Sequence, residues 1–198
     1  MQVIATDVLD TKEKMVSMAQ EQLKKPGFAI DPYFYRSHVT YQSELEHIIF
    51  KSWLYAGHVS QIPNKGDYFL FDIGEDSIII CRDRKEEIHA MHNMCRHRGA
   101  RVCEEPSGNC RVFACPYHGW GYALDGTLKA ARDMRDVEGF NFEDYGLLHV
   151  RMEIFQGMIF INCDPDAPDF KKPLSKISKQ LGAYDLENAK VAEAKTYK

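Results

Sequence analysis

The sequence predicts a mainly β protein in which short antiparallel strands form the centre and helical segments flank it on the N- and C-terminal sides. Three observations predict this. Between Tyr68 and Met94 lie three runs rich in β-branched and aromatic residues, set apart by turn-forming clusters. Asp125-Gly126 and Gln156-Gly157 each stand between two further runs of that kind. Apolar residues at helical spacing lie outside this centre, within 10–25 and 41–51 before it and 174–184 after it. The chain accordingly divides into a helical arm over 1–52, a β centre over 53–165, and a stretch over 166–198 that holds a closing helix.

The first helix opens at Asp10 and is stopped by Pro26-Gly27, with Met15, Met18, Ala19 and Leu23 as a weak apolar face. A second covers 41–51, where Leu45, Ile48 and Ile49 follow i, i+3, i+4 spacing behind Thr40 as N-cap. Strands come next at 68–73, 77–82 and 88–94, divided by turns at 74–76 and 83–86. Strands at 119–124 and 127–130 flank Asp125-Gly126, read as a type I′ turn with positive φ at both central residues. The pair 149–155 and 158–163 is joined at Gln156-Gly157. A Pro/Asp-rich loop over 164–172 leads to an amphipathic helix marked by Leu174, Ile177, Leu181 and Tyr184. Phe69, Phe71 and Phe113 are read as core.

Composition narrows the function classes. The chain has 198 residues, 44% of them hydrophobic and 27% charged, as in ordinary globular proteins. A formal net charge of −4 gives no general attraction for nucleic acid or an anionic membrane. The longest apolar runs, such as Ile78-Ile79-Ile80, are far too short to span a bilayer. Residues 1–10 lack the basic and apolar regions of a secretory signal. Six cysteines without an export signal point to metal chemistry in the cytoplasm rather than to a disulfide framework.

One pair of motifs carries that chemistry. Cys95-Arg-His97 is followed, after seventeen residues, by Cys115-Pro-Tyr-His118. Each loop offers one thiolate and one imidazole, and two such loops supply the set in which two histidines replace two cysteines on one iron of a [2Fe–2S] cluster. Cys95 and Cys115 would bind one iron, His97 and His118 the other. Replacing two anionic ligands by neutral ones raises the reduction potential relative to an all-cysteine centre. A structural zinc site in an interaction module is the rival reading, but zinc modules usually space their ligands as C-x₂₋₄-C and H-x₃₋₅-H. A C-x-H loop paired with a C-x₂-H loop fits that habit poorly.

Cys95-Arg-His-Arg-Gly-Ala and Cys115-Pro-Tyr-His-Gly-Trp-Gly-Tyr, followed by Leu124-Asp-Gly, resemble the Rieske domain of ring-hydroxylating oxygenase α subunits. Trp53-Leu-Tyr-Ala-Gly-His58, Gly66-Asp-Tyr68 and Gly157-Met-Ile-Phe-Ile-Asn162 extend the resemblance to about residues 30–185. It implies a Rieske [2Fe–2S] domain over 53–165, an oxidoreductase component fed by a ferredoxin or flavoprotein reductase. The acceptor it implies is a mononuclear Fe(II), held in the family by a neighbouring subunit of a trimer. Tyr117 and Trp120 would shield the cluster. Cytochrome bc-type Rieske proteins carry a disulfide cysteine where Tyr117 stands, and a serine donor where Trp120 stands. An indole offers a single N–H, so the sequence predicts a potential at the low end of the Rieske range, about −150 mV.

A complete oxygenase also needs two histidines and a carboxylate for its mononuclear iron. Of eight histidines two are committed to the cluster, none follows His149, and His89 and His92 would point to opposite strand faces. The family's catalytic domain would begin near Lys198, and residues 193–198 show no terminating pattern. The expected activity is electron transfer without hydroxylation, and a stand-alone Rieske ferredoxin is the other electron-carrier reading. Cys81, Cys103, Cys110 and Cys163 are read as reduced packing residues. Arg96, Arg98 and Arg101 either steer an acidic reductase or pair with Glu104 and Glu105. His58-Val-Ser-Gln-Ile-Pro and Arg98-Gly-Ala-Arg-Val-Cys103 look similar to oxygenases of quaternary amines such as choline or glycine betaine, with aromatic-ring dioxygenases as the rival.

Overall fold

A computed structural model describes residues 10–134, 136–192 and 195. Apart from Lys195, the reading of 193–198 lies outside the described residues. The chain forms two compact units, Met1–Ser52 and Trp53–Lys198.

In the first unit, α1 (Lys12–Leu23) is capped by Thr11, whose hydroxyl accepts from the Lys14 N–H at 3.3 Å. Asp10, expected to open this helix, serves the next one instead. Its carboxylate accepts from Ser37 Oγ at 2.7 Å, Tyr33 Oη at 2.8 Å and the Val39 N–H at 3.2 Å. The Ser37 hydroxyl is the main reason its pKa falls to about 2. The second helix, α2 (His38–Glu44), starts three residues before the expected position because Ser37 is the cap, accepting from the Thr40 N–H at 2.9 Å. Thr40 is buried inside the helix. From Leu45 to Ile49 the helix widens into a π turn, marked by the Phe50 N–H bonding to the Leu45 carbonyl at 2.9 Å.

The second unit is built from three antiparallel sheets, and mainly β is the observed class. β1 (Leu54–His58), β10 (Met158–Asn162) and β9 (Arg151–Phe155) form one, in that order. β4 (Ile88–His92), β3 (Asp76–Arg82), β2 (Asp67–Ile73) and β5 (Ser107–Asn109) form the second. β6 (Phe113–Ala114), β7 (Gly121–Tyr122) and β8 (Leu128–Ala130) form the third. Ile78, Ile79, Ile80 and Cys81 on β3 are all fully buried. An inner strand covered on both faces needs no polar alternation, which explains the unbroken apolar run. Phe69 and Phe113 are core as expected, whereas Phe71, two residues from the end of β2, is only half-buried. The helix α3 (Lys171–Leu181) follows the sheets, with Ile177 exposed on its apolar stripe. Among the described residues, no helix is long and apolar enough to cross a membrane.

One hairpin departs from its expected turn. At Asp125-Gly126 only Gly126 has positive φ, +84°. The Gly126 N–H bonds to the Ala123 carbonyl and the Ala123 N–H to the Thr127 carbonyl, both at 2.9 Å. This is a three-residue loop closed by a left-handed glycine, not a type I′ turn. Asp125 fits it because its carboxylate accepts from the Thr127 N–H at 3.0 Å and the Thr127 hydroxyl at 2.6 Å. The two-residue turn with positive φ at both positions is Gln156 (+48°) and Gly157 (+77°), joining β9 to β10.

Gly157 also makes room for a buried histidine. His58 Nε2 donates to the Leu186 carbonyl at 3.0 Å, and its Nδ1 accepts from the Ser60 N–H at 3.2 Å. A Cβ on Gly157 would overlap the His58 ring. Gly157→Ala is therefore expected to lower stability by about 1–3 kcal/mol from the left-handed backbone alone. Urea denaturation measures this, and a loss below about 0.5 kcal/mol would contradict the proposed role of the turn.

Candidate metal centre

The two ligand loops have one backbone design. In the first, the Cys95 N–H donates to the Ala100 carbonyl at 2.8 Å and the Gly99 N–H to the Cys95 carbonyl at 2.9 Å. In the second, the Cys115 N–H donates to the Trp120 carbonyl at 2.8 Å and the Gly119 N–H to the Cys115 carbonyl at 3.0 Å. The closing glycines have φ of +74° and +72°. Each cysteine thus begins a tight reversal that ends five residues later.

These loops bring the four motif side chains together. Cys95 and Cys115 are buried, and the Cys115 thiol lies beside that of Cys95. Burial pushes the Cys115 thiol up, opposed by the N–H groups of Tyr117 and His118, which point at its sulfur. The rings of His97 and His118 meet edge to face, with centroids 4.6 Å apart. His97 Nδ1 is buried and has no hydrogen-bond partner among the described residues. An unsatisfied polar atom of this kind costs about 1–3 kcal/mol unless something fills the position. Burial, His118 and Arg98, in that order, lower the His97 pKa and favour the neutral ring that a metal requires.

A single zinc ion would draw its ligand atoms to within about 4 Å of one another, given bonds of about 2.0–2.3 Å. Among the described residues, the group of three or more ligand atoms gathered within 4.8 Å is Asp83, Glu87 and His89. No three of the ligand atoms of Cys95, His97, Cys115 and His118 are gathered that closely.

Several supporting residues escape a sequence reading. Tyr122 is fully buried, its hydroxyl 3.2 Å from Cys95 Sγ while accepting from the Arg96 N–H at 3.0 Å. Asn93 is buried with both ends of its amide engaged. Its Oδ1 accepts from the N–H groups of Val102 at 2.9 Å and Cys103 at 2.8 Å, and its Nδ2 donates to the Cys103 carbonyl at 2.7 Å. Asn93 reads as an ordinary strand residue whose only signal is proximity to a motif, and Tyr122 ends the second motif with nothing in the sequence to mark its role.

Trp120 is buried and stacks on His97 with planes 9° apart and centroids at 4.9 Å, backed by Phe140 and Tyr145. Tyr117 lies against His118 at 3.9 Å and is 60% exposed, so it covers the outer side. Cys81, Cys103, Cys110 and Cys163 are free thiols. Burial raises all four, Cys103 to about 12. His89 pairs with Asp83 at 3.2 Å, while burial lowers the pKa of His92. Arg101 meets Asp72 at 3.7 Å and the Glu75 carbonyl at 3.4 Å, rather than the expected Glu104 or Glu105.

Residues 52–141 match the family model of the Rieske [2Fe-2S] domain. The chain is 42% identical to the biphenyl 2,3-dioxygenase subunit alpha of Rhodococcus jostii (strain RHA1), over 71% of this chain and 31% of that one. It is 34% identical to the glycine betaine monooxygenase oxygenase subunit of Pseudomonas aeruginosa (strain UCBPP-PA14), over 84% of this chain and 38% of that one. Among solved structures, naphthalene 1,2-dioxygenase from Rhodococcus sp. matches with a TM-score of 0.75 at 29% identity, covering 87% of this chain and 40% of that one. The quaternary ammonium Rieske monooxygenase CntA matches with a TM-score of 0.73 at 31% identity, covering 81% and 45%. The chain spans less than half the length of these relatives.

Asn93 is the buried tie between the first ligand loop and the segment after it. Asn93→Ala would leave two N–H groups and a carbonyl unpaired and is expected to cost about 2–4 kcal/mol. Denaturation together with hydrogen exchange at the Val102 and Cys103 amides tests this. Unchanged protection there would sink the assignment.

Proposed function

The chain carries a Rieske [2Fe–2S] domain of the oxygenase α-subunit family, and from that premise we propose that it is the electron-transfer part of such a subunit. The cluster would be held by the thiolates of Cys95 and Cys115 on one iron and the imidazoles of His97 and His118 on the other. The observation that carries this reading is the buried, unpartnered Nδ1 of His97 beside two buried cysteines. When bound, the cluster supplies one-electron transfer at a potential above that of an all-cysteine centre.

The chain's own residues hold the ligands and exclude water. Trp120 fixes the plane of His97 from within, and Tyr117 covers His118 from without. Tyr122 tunes the centre. Its hydroxyl accepts from the Arg96 N–H, so its proton is available to a Cys95 thiolate. A donor to ligand sulfur stabilises the more negative, reduced state. Tyr122 thus offsets part of what the sequence reading assigned to the missing serine, and the potential should lie above the expected floor of about −150 mV.

The partners follow from the family. A ferredoxin or flavoprotein reductase supplies electrons, and the acceptor is a mononuclear Fe(II) outside this chain, in a neighbouring subunit of a homotrimer. Among the described residues, the gathered group Asp83, Glu87 and His89 offers one histidine rather than two, and Asp83 already accepts from the N–H groups of Lys85 and Glu87 and contacts His89. This is not the two-histidine, one-carboxylate set of such an iron. The whole enzyme would be an oxidoreductase that adds oxygen to an aromatic ring or a quaternary amine, and this chain alone would lack that activity. Six free cysteines suit the reducing cytoplasm.

Protein produced with iron and sulfide is expected to be red-brown and to give a rhombic EPR signal on reduction. Cys95→Ser should abolish both, and a colourless wild type containing only zinc would overturn the reading. Tyr122→Phe should keep the colour and lower the midpoint potential by about 30–60 mV, the equivalent of roughly 1 kcal/mol for one electron. A potential unchanged within about 10 mV would remove Tyr122 from the tuning role.

A further inference from the structure

The turn between β3 and β4 gathers a second set of metal-ligating side chains, outside the two ligand loops. One ligand atom each from Asp83, Glu87 and His89 lies within 4.8 Å of the other two. Asp83 is only 6% exposed. Its Oδ1 accepts from the N–H groups of Lys85 and Glu87, both at 2.8 Å, and its Oδ2 faces His89 Nε2 at 3.2 Å. Two backbone bonds to one oxygen hold the carboxylate still and present the other oxygen, as the outer partners of metal-ligating carboxylates do. A second imidazole flanks the first. His149, brought to β4 by its bridge to Met91, stands edge to face with His89, with ring centroids 6.0 Å apart.

The negative charge here lacks a permanent counter-charge. Two carboxylates this close repel each other, and the burial of Asp83 removes water that would screen them. Among the described residues, neither carboxylate is ion-paired to a lysine or arginine, and Asp83 meets only His89. Two cations at this turn are used elsewhere. Arg82 donates to the carbonyls of Ile62 at 2.7 Å and Glu86 at 2.9 Å, and Lys65 pairs with Glu86 at 3.2 Å.

The donor types select the ion. Imidazole together with carboxylates suits zinc and its divalent neighbours, whereas magnesium and calcium take oxygen ligands and monovalent copper takes sulfur. Zinc accepts three protein ligands and a water. Its bonds of about 2.0–2.2 Å need the three ligand atoms drawn to within about 4 Å of one another. Glu87 is exposed and free to supply that movement.

We propose that Asp83, Glu87 and His89 form a binding site for one divalent ion of the zinc class at the β3–β4 turn. The ligands are Asp83 Oδ2, the Glu87 carboxylate and His89 Nε2. The ion takes the place of the proton between Asp83 and His89, whose neutral ring keeps its proton on Nδ1. It balances both carboxylates and fastens the turn to the start of β4. The site is independent of the cluster reading, and its single imidazole separates it from a two-histidine iron centre.

The test uses the 198-residue chain with its cluster loaded, so that the loop ligands are occupied. Calorimetric titration with zinc sulfate should show one equivalent bound with a Kd below about 100 μM. His89→Gln and, at an exposed side chain, Glu87→Gln should each weaken binding about tenfold or more. Glu86→Gln, next to the site but outside the gathered group, should change Kd by less than about twofold. Magnesium at about 1 mM should leave the zinc titration unchanged.

A wild type without saturable zinc binding would overturn the site, and so would an affinity unaltered in both ligand variants. Competition by magnesium at that concentration would overturn the ion class. A chain that takes up no cluster overturns the Rieske reading and not this one. Total zinc per chain is then compared between wild type and His89→Gln, where a loss of one equivalent supports the site and equal amounts overturn it.

Discussion

A pair of backbone hydrogen bonds closes each ligand loop, and the rest of the site depends on those closures. The cysteine N–H reaches the carbonyl five residues on, and a glycine N–H four residues on returns to the cysteine carbonyl. The reversal needs a left-handed residue at the glycine. A Cβ on Gly119 would meet nothing within 4 Å, and one on Gly99 only Met94 Sδ at 4.0 Å. These two glycines are therefore required by backbone angle rather than by space, at a cost of about 1–2 kcal/mol for any other residue. Gly126 and Gly157 differ, because a Cβ there would also collide with Met91 or His58.

The closures would be weak if the loops were free-standing. The first leaves β4, which pairs with the wholly buried stretch of β3. The second bridges β6 and β7. Tyr122 on β7 bonds across to Cys95 and Arg96, so the second loop's own strand fastens the first. Cys95, Cys115, Trp120 and Tyr122 share one apolar cluster with Ile79, Met91, Phe113 and Leu128. The ligands are thus held by the packing that holds the fold, and a change that loosens the core there loosens the site.

The strands of the second sheet were legible because they are long, apolar and divided by turn residues, and the motif was legible because its ligands are few and local. What the sequence reading misplaced was decided by individual side-chain hydrogen bonds that composition does not reveal. Asp10 looked like a cap for its own helix, yet its carboxylate bonds to Tyr33, Ser37 and Val39. Asp125-Gly126 has the composition of a type I′ turn, but the Thr127 hydroxyl and amide hold the aspartate and leave only the glycine left-handed. The short strands β5, β6 and β7 are two or three residues each and exist through their partners. Tyr122 and Asn93 act across 27 and 9–16 residues of chain, a separation at which spacing carries no signal.

The two loops share a backbone but place their histidines differently, at the second residue after Cys95 and the third after Cys115. Equivalent turns with non-equivalent positions send the two imidazoles out from different points of the reversal, as the proposed pair of ligands to one iron would require. Their surroundings differ in the same sense. His97 is locked from the core side, stacked on Trp120 with Phe140 and Tyr145 behind it. His118 is covered by Tyr117, which solvent reaches. The centre therefore has a dry wall and a wet one. Residues that hold the ligand side chains still belong to the first, and solvent-exposed residues belong to the second, Arg98 among them. The proposed relay would need both properties at once, a fixed ligand set and an approachable edge, and the surroundings of the two histidines offer them.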